Sequence, residues 1–261
     1  MSNQITRIIT AVIGIPFLLL IFYSGGIYFF AFSILITSLA LWELFSMSEK
    51  KEFRPLKYSG IILSGVMQII FYFFFRELLI MLLIIFSILV SAEVFRKEKP
   101  NPLNPVIIIF GLLYVTVPFI LLGNMNEHTQ FNQVIYIFVL IWTCDSAAYF
   151  GGKYAGKHKL NSISPNKTWE GSVTGFAFTV IVSMIIHYVF PDALNLRDAL
   201  ITGILIGVFS QIGDLFESLL KRYSGVKDSS VIIPGHGGIL DRFDSVLFVA
   251  PLIFIYLKYF R

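Results

Sequence analysis

Apolar residues run in long unbroken stretches along this 261-residue chain, and polar residues collect between them. A hydrocarbon layer about 30 Å thick takes about 20 apolar residues per helix. By that length the pattern predicts nine membrane-spanning helices, near 7–23, 27–47, 57–75, 77–95, 104–123, 131–152, 171–190, 198–222 and 240–259. The breaks carry ordinary stop signals: Ser24-Gly25-Gly26, the charged stretch Glu49–Lys57, Pro100-Asn101-Pro102 and Pro191. Arg7 ahead of the first run has the look of a secretory leader. Eight further runs and no small-residue cleavage motif make it a span instead.

The break at Arg76-Glu77 is the narrowest. Read as one helix, residues 58–95 would extend about 57 Å, too long for a single crossing. The basic residues separate the two readings. With nine spans and a cytoplasmic amino terminus, the cytoplasmic segments hold 16 of the 20 Lys and Arg, and the opposite side holds 4. Fusing the two spans spoils this to about 11 against 8. The expected fold class is therefore all-α, a polytopic membrane protein. Residues 1–130 hold spans one to five, and 131–261 hold spans six to nine with their cytoplasmic loops, in one integral membrane unit.

Composition agrees: 56% of residues are apolar and only 14% charged, which excludes an ordinary soluble domain. The single Cys144 excludes a disulfide framework and a cysteine zinc site. His128, His158, His187 and His236 form no metal-spaced pair. Nucleic acid is excluded as a partner, because no soluble basic domain is present. No internal repeat is visible.

The first half of the chain reads as chemically quiet. Glu43 is expected to snorkel or cap near the cytoplasmic end of the second span. The Glu49–Lys57 and Arg96–Lys99 clusters read as anchors at lipid headgroups. The second half differs. Asp145 lies inside the sixth span, in D-S-A-A-Y-F-G-G-K, where a carboxylate should face a polar cavity or pair with a loop lysine. The next loop carries Lys153, Lys157, His158 and Lys159, then S-P-N-K-T-W-E-G from Ser164 to Gly171. Ser164, Asn166 and Thr168 are candidate caps for the seventh span, and Lys167 a candidate phosphate contact.

The densest polar segment joins the eighth span to the ninth. On a helix, Asp214, Glu217, Ser218 and Lys221 form one stripe, and Asp241 and Asp244 share a face. Between them, Gly225, Gly235, Gly237 and Gly238 let backbone N–H groups point at an anion. Carboxylates without paired Cys or His select a hard cation, Mg²⁺ first, with a second cation left open. Mg²⁺ held by carboxylates and substrate phosphates suits nucleotide chemistry. The competing reading is a helical hairpin whose charges pair internally, as in a transporter gate; such a gate would not call for a glycine-rich, Lys/Arg-lined cytoplasmic loop.

This segment resembles a known signature. Ser218, Lys221, Arg222, Lys227, Asp228, Ser230, Pro234, His236, Gly237, Gly238, Asp241, Arg242 and Asp244 stand at the spacing of the phosphatidate cytidylyltransferase (CDP-diacylglycerol synthase) family. D-S-A-A-Y-F-G-G, S-P-N-K-T-W-E-G and Q-I-G-D-L-F-E-S are similar to that family too, so the resemblance covers roughly residues 140–250. It implies transfer of CMP from CTP to phosphatidate, giving CDP-diacylglycerol and pyrophosphate. It places Asp214 and Asp241 at the metal centre, with Lys221, Arg222 and Asp244 beside them in catalysis. Lys167, Ser164, Asn166, Asp145, Lys227, Asp228, His236, Gly237, Gly238, Arg242 and Ser218 are then the substrate-binding set. A homodimer in the bacterial plasma membrane, with its site facing the cytoplasm, is also implied. A CTP-dependent polyprenol or dolichol kinase is opposed by the complete Ser218–Asp244 match, and an ion-coupled transporter by the lack of repeat symmetry.

Overall fold

The computed structural model describes residues 3–51, 53–74, 77–97, 99–125, 131–235 and 237–261. Helices dominate it. They are α1 (Asn3–Ser24), α2 (Gly26–Glu49), α3 (Lys57–Phe73), α4 (Leu78–Val94), α5 (Leu103–Gly111), α6 (Val117–Met125), α7 (Gln133–Ala155), α8 (Trp169–Val189), α9 (Leu196–Tyr223) and α10 (Leu240–Tyr259). Among the described residues no strand forms; isolated bridges pair Lys159 with Thr168 and Ile233 with Gly237. The narrow break falls between α3 and α4 as expected, with Arg76 itself outside the described residues.

The fifth apolar run is one rod with a fault in it. Residues Leu112–Thr116 between α5 and α6 form a π-helical turn. Pro118 supplies the reason, since it has no N–H to offer the Tyr114 carbonyl and its ring crowds that turn. Five helical stretches are long and apolar enough to cross a membrane by length and composition: Gly26–Glu49, Leu103–Met125, Gln133–Ala155, Trp169–Val189 and Leu196–Tyr223. Shorter apolar helices cover Ile9–Ser24, Lys57–Phe73 and Leu78–Val94. Outward faces are apolar too, as at Leu79, Leu83, Ile84, Val173 and Ile185. Such a surface suits lipid and not water, so this is a membrane protein.

Helix starts follow local chemistry. The side chains of Asn132, Thr168 and Asn195 accept the N–H of Ile135, Gly171 and Asp198 at 3.0, 3.1 and 2.8 Å, capping α7, α8 and α9. Of the three expected caps for α8, Thr168 takes the role. Ser164 and Asn166 stay in the preceding loop.

An aromatic cluster ties the two halves of the chain together. Phe22 on α1 meets Phe138 on α7 with ring centroids 4.5 Å apart, and Phe243 on α10 meets Phe119 on α6 at 5.4 Å. Polar residues buried between α2 and α3 satisfy one another: Ser33 donates to Gln68 at 2.6 Å, and Gln68 to Thr37 at 2.8 Å. Close approach of α9 to α10 depends on Gly213, where a Cβ would lie 2.7 Å from the Asp244 carbonyl oxygen. That contact brings the polar stripe of α9 against the first turns of α10.

Candidate active site

Polar residues converge where the middle of α7, the start of α8, the last turns of α9 and the start of α10 meet. The loop from residue 156 to 168 folds back on itself before α8. Leu160 N–H donates to the Lys167 carbonyl at 2.8 Å, and Trp169 N–H to the His158 carbonyl at 2.9 Å. Glu170 fixes the base of this hairpin, accepting the N–H groups of Lys157 and His158 at 3.1 and 3.2 Å and lying 2.6 Å from His158 Nδ1. So held, the hairpin returns Lys167 to the bundle, where its ammonium pairs with Asp214 of α9. Asp145 on α7 stays accessible and lies within charge–charge range of Asp214, Lys167 and Arg242. The expected polar surroundings are therefore present.

About two turns further along α9, Lys221 bridges two carboxylates, Glu217 and Asp241, at 2.5 Å each. Glu217 is fully buried, and Lys221 is its only described partner. Asp241 is more richly held. Its Oδ2 accepts from Ser229 N–H at 2.9 Å, the Ser229 hydroxyl at 2.6 Å and Gly238 N–H at 2.8 Å, while Oδ1 faces Lys221. Gly237 supplies the turn before it, with φ +84, a conformation that disfavours side chains. Asp244 faces inward and lies within charge range of Asp214, Glu217 and Asp145.

Thus Asp145, Lys167, Asp214, Lys221, Gly238, Asp241, Arg242 and Asp244 come together. Ser218 is buried on α9 beside them. Arg222 is exposed and donates to the Val226 carbonyl at 3.0 Å, closing the helix end. Lys227 and Asp228 are exposed at the loop tip, and Asn166 is exposed in its own loop. Ser164 takes part in a turn, accepting Lys167 N–H at 3.0 Å through its carbonyl. His236 lies outside the described residues.

Three contributors escape the sequence reading. Glu43 of α2 is completely buried and reaches the segment that leads into α10, so the first half is not chemically quiet. A carboxylate in an apolar run was the available signal. Ser229 joins Asp241, but neighbouring serines look alike in sequence. Tyr114, in the π turn, buries an unpartnered hydroxyl within charge range of Asp244, Glu217 and Asp214. Only the Pro118 fault hints at it.

Chemically, the site offers hard oxygen donors. Among the described residues no group of three His, Cys, Asp or Glu converges as a ready-made metal cage. Carboxylates such as Asp214, Asp241 and Asp244 fit a cation that takes one or two protein oxygens and completes its shell from phosphates, as Mg²⁺ does. Ammonium groups are ready for further oxygens. A lysine has three donors; the described contacts use two on Lys221 and one on Lys167.

Comparison with known proteins extends this beyond the site. The curated phosphatidate cytidylyltransferase of Staphylococcus saprophyticus is 37% identical over 258 residues, covering 96% of this chain and 98% of its own length. Those of Staphylococcus haemolyticus and Staphylococcus aureus are 36% and 34% identical over the same span. The matched span thus takes in the amino-terminal helices as well as the polar carboxyl-terminal half. The family model described as the cytidylyltransferase family matches residues 5–260, and with that near-complete match the chain belongs to this family.

Proposed function

We propose that this protein transfers CMP from CTP to phosphatidate, yielding CDP-diacylglycerol and pyrophosphate for phospholipid synthesis. The observation that carries this reading is the paired arrangement of Lys167 on Asp214 and Lys221 between Glu217 and Asp241. It sets cations with spare donors beside carboxylates suited to Mg²⁺, at the polar end of an apolar bundle.

The chemistry needs such an arrangement. Phosphatidate carries a phosphate monoester with a second pKa near 6, so its attacking oxygen is already anionic at neutral pH. No strong base is required. The oxygen attacks the α-phosphorus of CTP in line, the bond to the β-phosphate oxygen breaks, and pyrophosphate leaves with the electron pair. Repulsion between two anionic phosphates is the main barrier, and fixed positive charge lowers it. Lys167 and Lys221 supply that charge, each adding phosphate oxygens to the carboxylates it already holds. Arg242 faces the same space. Ser164, Asn166, Ser218, Gly237, Gly238 and His236 complete the substrate-binding set, with Arg222, Lys227 and Asp228 meeting the nucleotide at the loop rim.

Asp214 and Asp241, with Asp244 and Asp145 beside them, would hold Mg²⁺, which would supply Lewis-acid neutralisation of the triphosphate. The chain crosses the plasma membrane of a bacterial cell nine times from a cytoplasmic amino terminus, works as a homodimer and opens its site to cytoplasmic CTP. Acyl chains stay in the bilayer. Purified protein given radiolabelled CTP, phosphatidate and Mg²⁺ should form a labelled, organic-soluble lipid and release pyrophosphate. Label that stays water-soluble would refute the reading.

A further inference from the structure

Glu43 sits near the carboxyl end of α2, far in sequence from every residue of the expected site. Its side chain is 0% exposed, and no described Lys, Arg or His forms an ion pair with it. Hydrogen bonds surround it instead. Oε1 accepts from the Ser230 hydroxyl at 2.5 Å and Ile239 N–H at 2.9 Å. Oε2 accepts from Leu240 N–H at 2.8 Å and lies 3.0 Å from the Ser229 hydroxyl. A carboxylate has about four lone-pair sites, and here three take fixed donors while the fourth faces a hydroxyl shared with Asp241. The two amides open α10, where N–H groups lack partners within the helix.

Ser229 links this carboxylate to a second one. Its hydroxyl lies 2.6 Å from Asp241 Oδ2 and 3.0 Å from Glu43 Oε2, yet it has one hydrogen to give. Its backbone N–H also donates to Asp241, at 2.9 Å. Gly238 lies in the same knot, donating to Asp241 at 2.8 Å. A Cβ there would stand 2.5 Å from Glu43 Oε1 and closer still to the Ser229 hydroxyl. Only glycine lets the two carboxylates approach from opposite sides of this segment. Contacts therefore run without a gap from Glu43 through Ser229 and Gly238 to Asp241 and on to Lys221.

We infer that Glu43 is a positioning residue for cytidylyl transfer: it fixes the 229–240 segment and, through it, the orientation of Asp241 and Lys221. The inference rests on the reaction proposed above. Holding α2 against α10 does not call for a buried charge, since Phe32 and Phe243 already pack across that contact with centroids 6.3 Å apart. What a carboxylate adds is direction, because it gathers two amides and the Ser230 hydroxyl at once and shares the Ser229 hydroxyl with Asp241. Removing a partner that orients a metal or phosphate ligand costs about 10–100-fold in activity.

The test uses full-length protein in detergent. Glu43→Gln is nearly isosteric but turns an NH₂ group toward two donors. It should lower kcat per folded molecule about 10–100-fold while KM for CTP and phosphatidate shifts less than about threefold. Amide exchange across 229–240 should quicken. Ser229→Ala should lower kcat in the same direction, and the double variant should be hardly worse than Glu43→Gln. A folded Glu43→Gln protein with undiminished kcat would overturn the inference. So would a loss that tracks only the unfolded fraction. If Glu43→Gln does not fold, Ser229→Ala decides, and wild-type kcat in that variant overturns it. Wild-type protein that makes no lipid product would sink the reaction itself; amide exchange still reads the clamp then, and an unchanged rate in Glu43→Gln would show that no clamp exists.

Discussion

Lys167 and Lys221 carry the same charge at one site, but their burial predicts different responses to removal. Lys221→Ala strips the cation from between Glu217 and Asp241, whose side chains are 0% and 6% exposed. Asp241 keeps its donors from Ser229 and Gly238, whereas Glu217 keeps none. Breaking a buried pair in this way costs about 3–5 kcal/mol. For a chain of this size each kcal/mol moves the thermal midpoint by about 2–4 °C, so the expected fall is about 6–20 °C. Lys167→Ala breaks a pair whose side chains are 29% and 34% exposed. Solvent screening limits that pair to about 1 kcal/mol, or about 2–4 °C. Both variants should lose CTP turnover. Adding Glu217→Gln to Lys221→Ala should recover much of the lost midpoint without recovering activity, because it neutralises the stranded carboxylate. Thermal unfolding in detergent beside CTP turnover reads both effects. Lys221→Ala protein that melts like wild type, or Lys167→Ala protein that melts as early as Lys221→Ala, would refute the reasoning.

Asp214→Asn and Asp241→Asn should each abolish turnover in a folded protein, with the double variant hardly worse than either alone; near-normal activity of Asp214→Asn at low Mg²⁺ would remove that residue from the metal site. Gly238→Ala should lower both midpoint and turnover, since its Cβ meets the Ser229 hydroxyl and the Glu43 carboxylate; a neutral result on both would show that the segment can shift. Tyr114→Phe should leave the midpoint unchanged or slightly higher, because the hydroxyl is buried without a partner and the ring packing against Phe110, Phe216 and Phe248 is kept. In a Cys144→Ser background, single cysteines near Lys51, Lys99 and Lys157 should be labelled from the same face of the membrane, and labelling from opposite faces would break the nine-span topology.

The sequence was most legible where a signal and its target lie within a few residues. Span breaks at glycine, proline and charge clusters reappear as helix ends, and Thr168 caps α8 from the position its chemistry suggests. Helical spacing put Asp214, Glu217 and Lys221 on one stripe, and Lys221 does contact Glu217 four residues before it. Legibility stopped at pairings between distant segments. The stripe could not show that Lys221 also reaches Asp241, or that Lys167 returns to Asp214. Glu43 was misjudged for the same reason. The expected place for it was the end of its own span, whereas the helix whose amides it takes begins at Leu240, 197 residues later and beyond any local pattern. The π turn at Leu112–Thr116 was missed because hydrophobic periodicity over 104–123 reads the same with or without one extra residue per turn.

That long separation bears on how the protein is made. Ribosomes add about 5–20 residues per second, so Glu43 is synthesised about 10–40 s before the Ile239 and Leu240 amides that bind it. During that interval α2 carries an acidic side chain whose eventual partners do not yet exist. The growing chain must park it near the headgroups or in water until α10 arrives, which makes insertion of the final helix the event that seals the second. A nascent chain stopped before residue 239 lacks the two amides that hold this carboxylate, so α2 cannot reach its final setting until they are made.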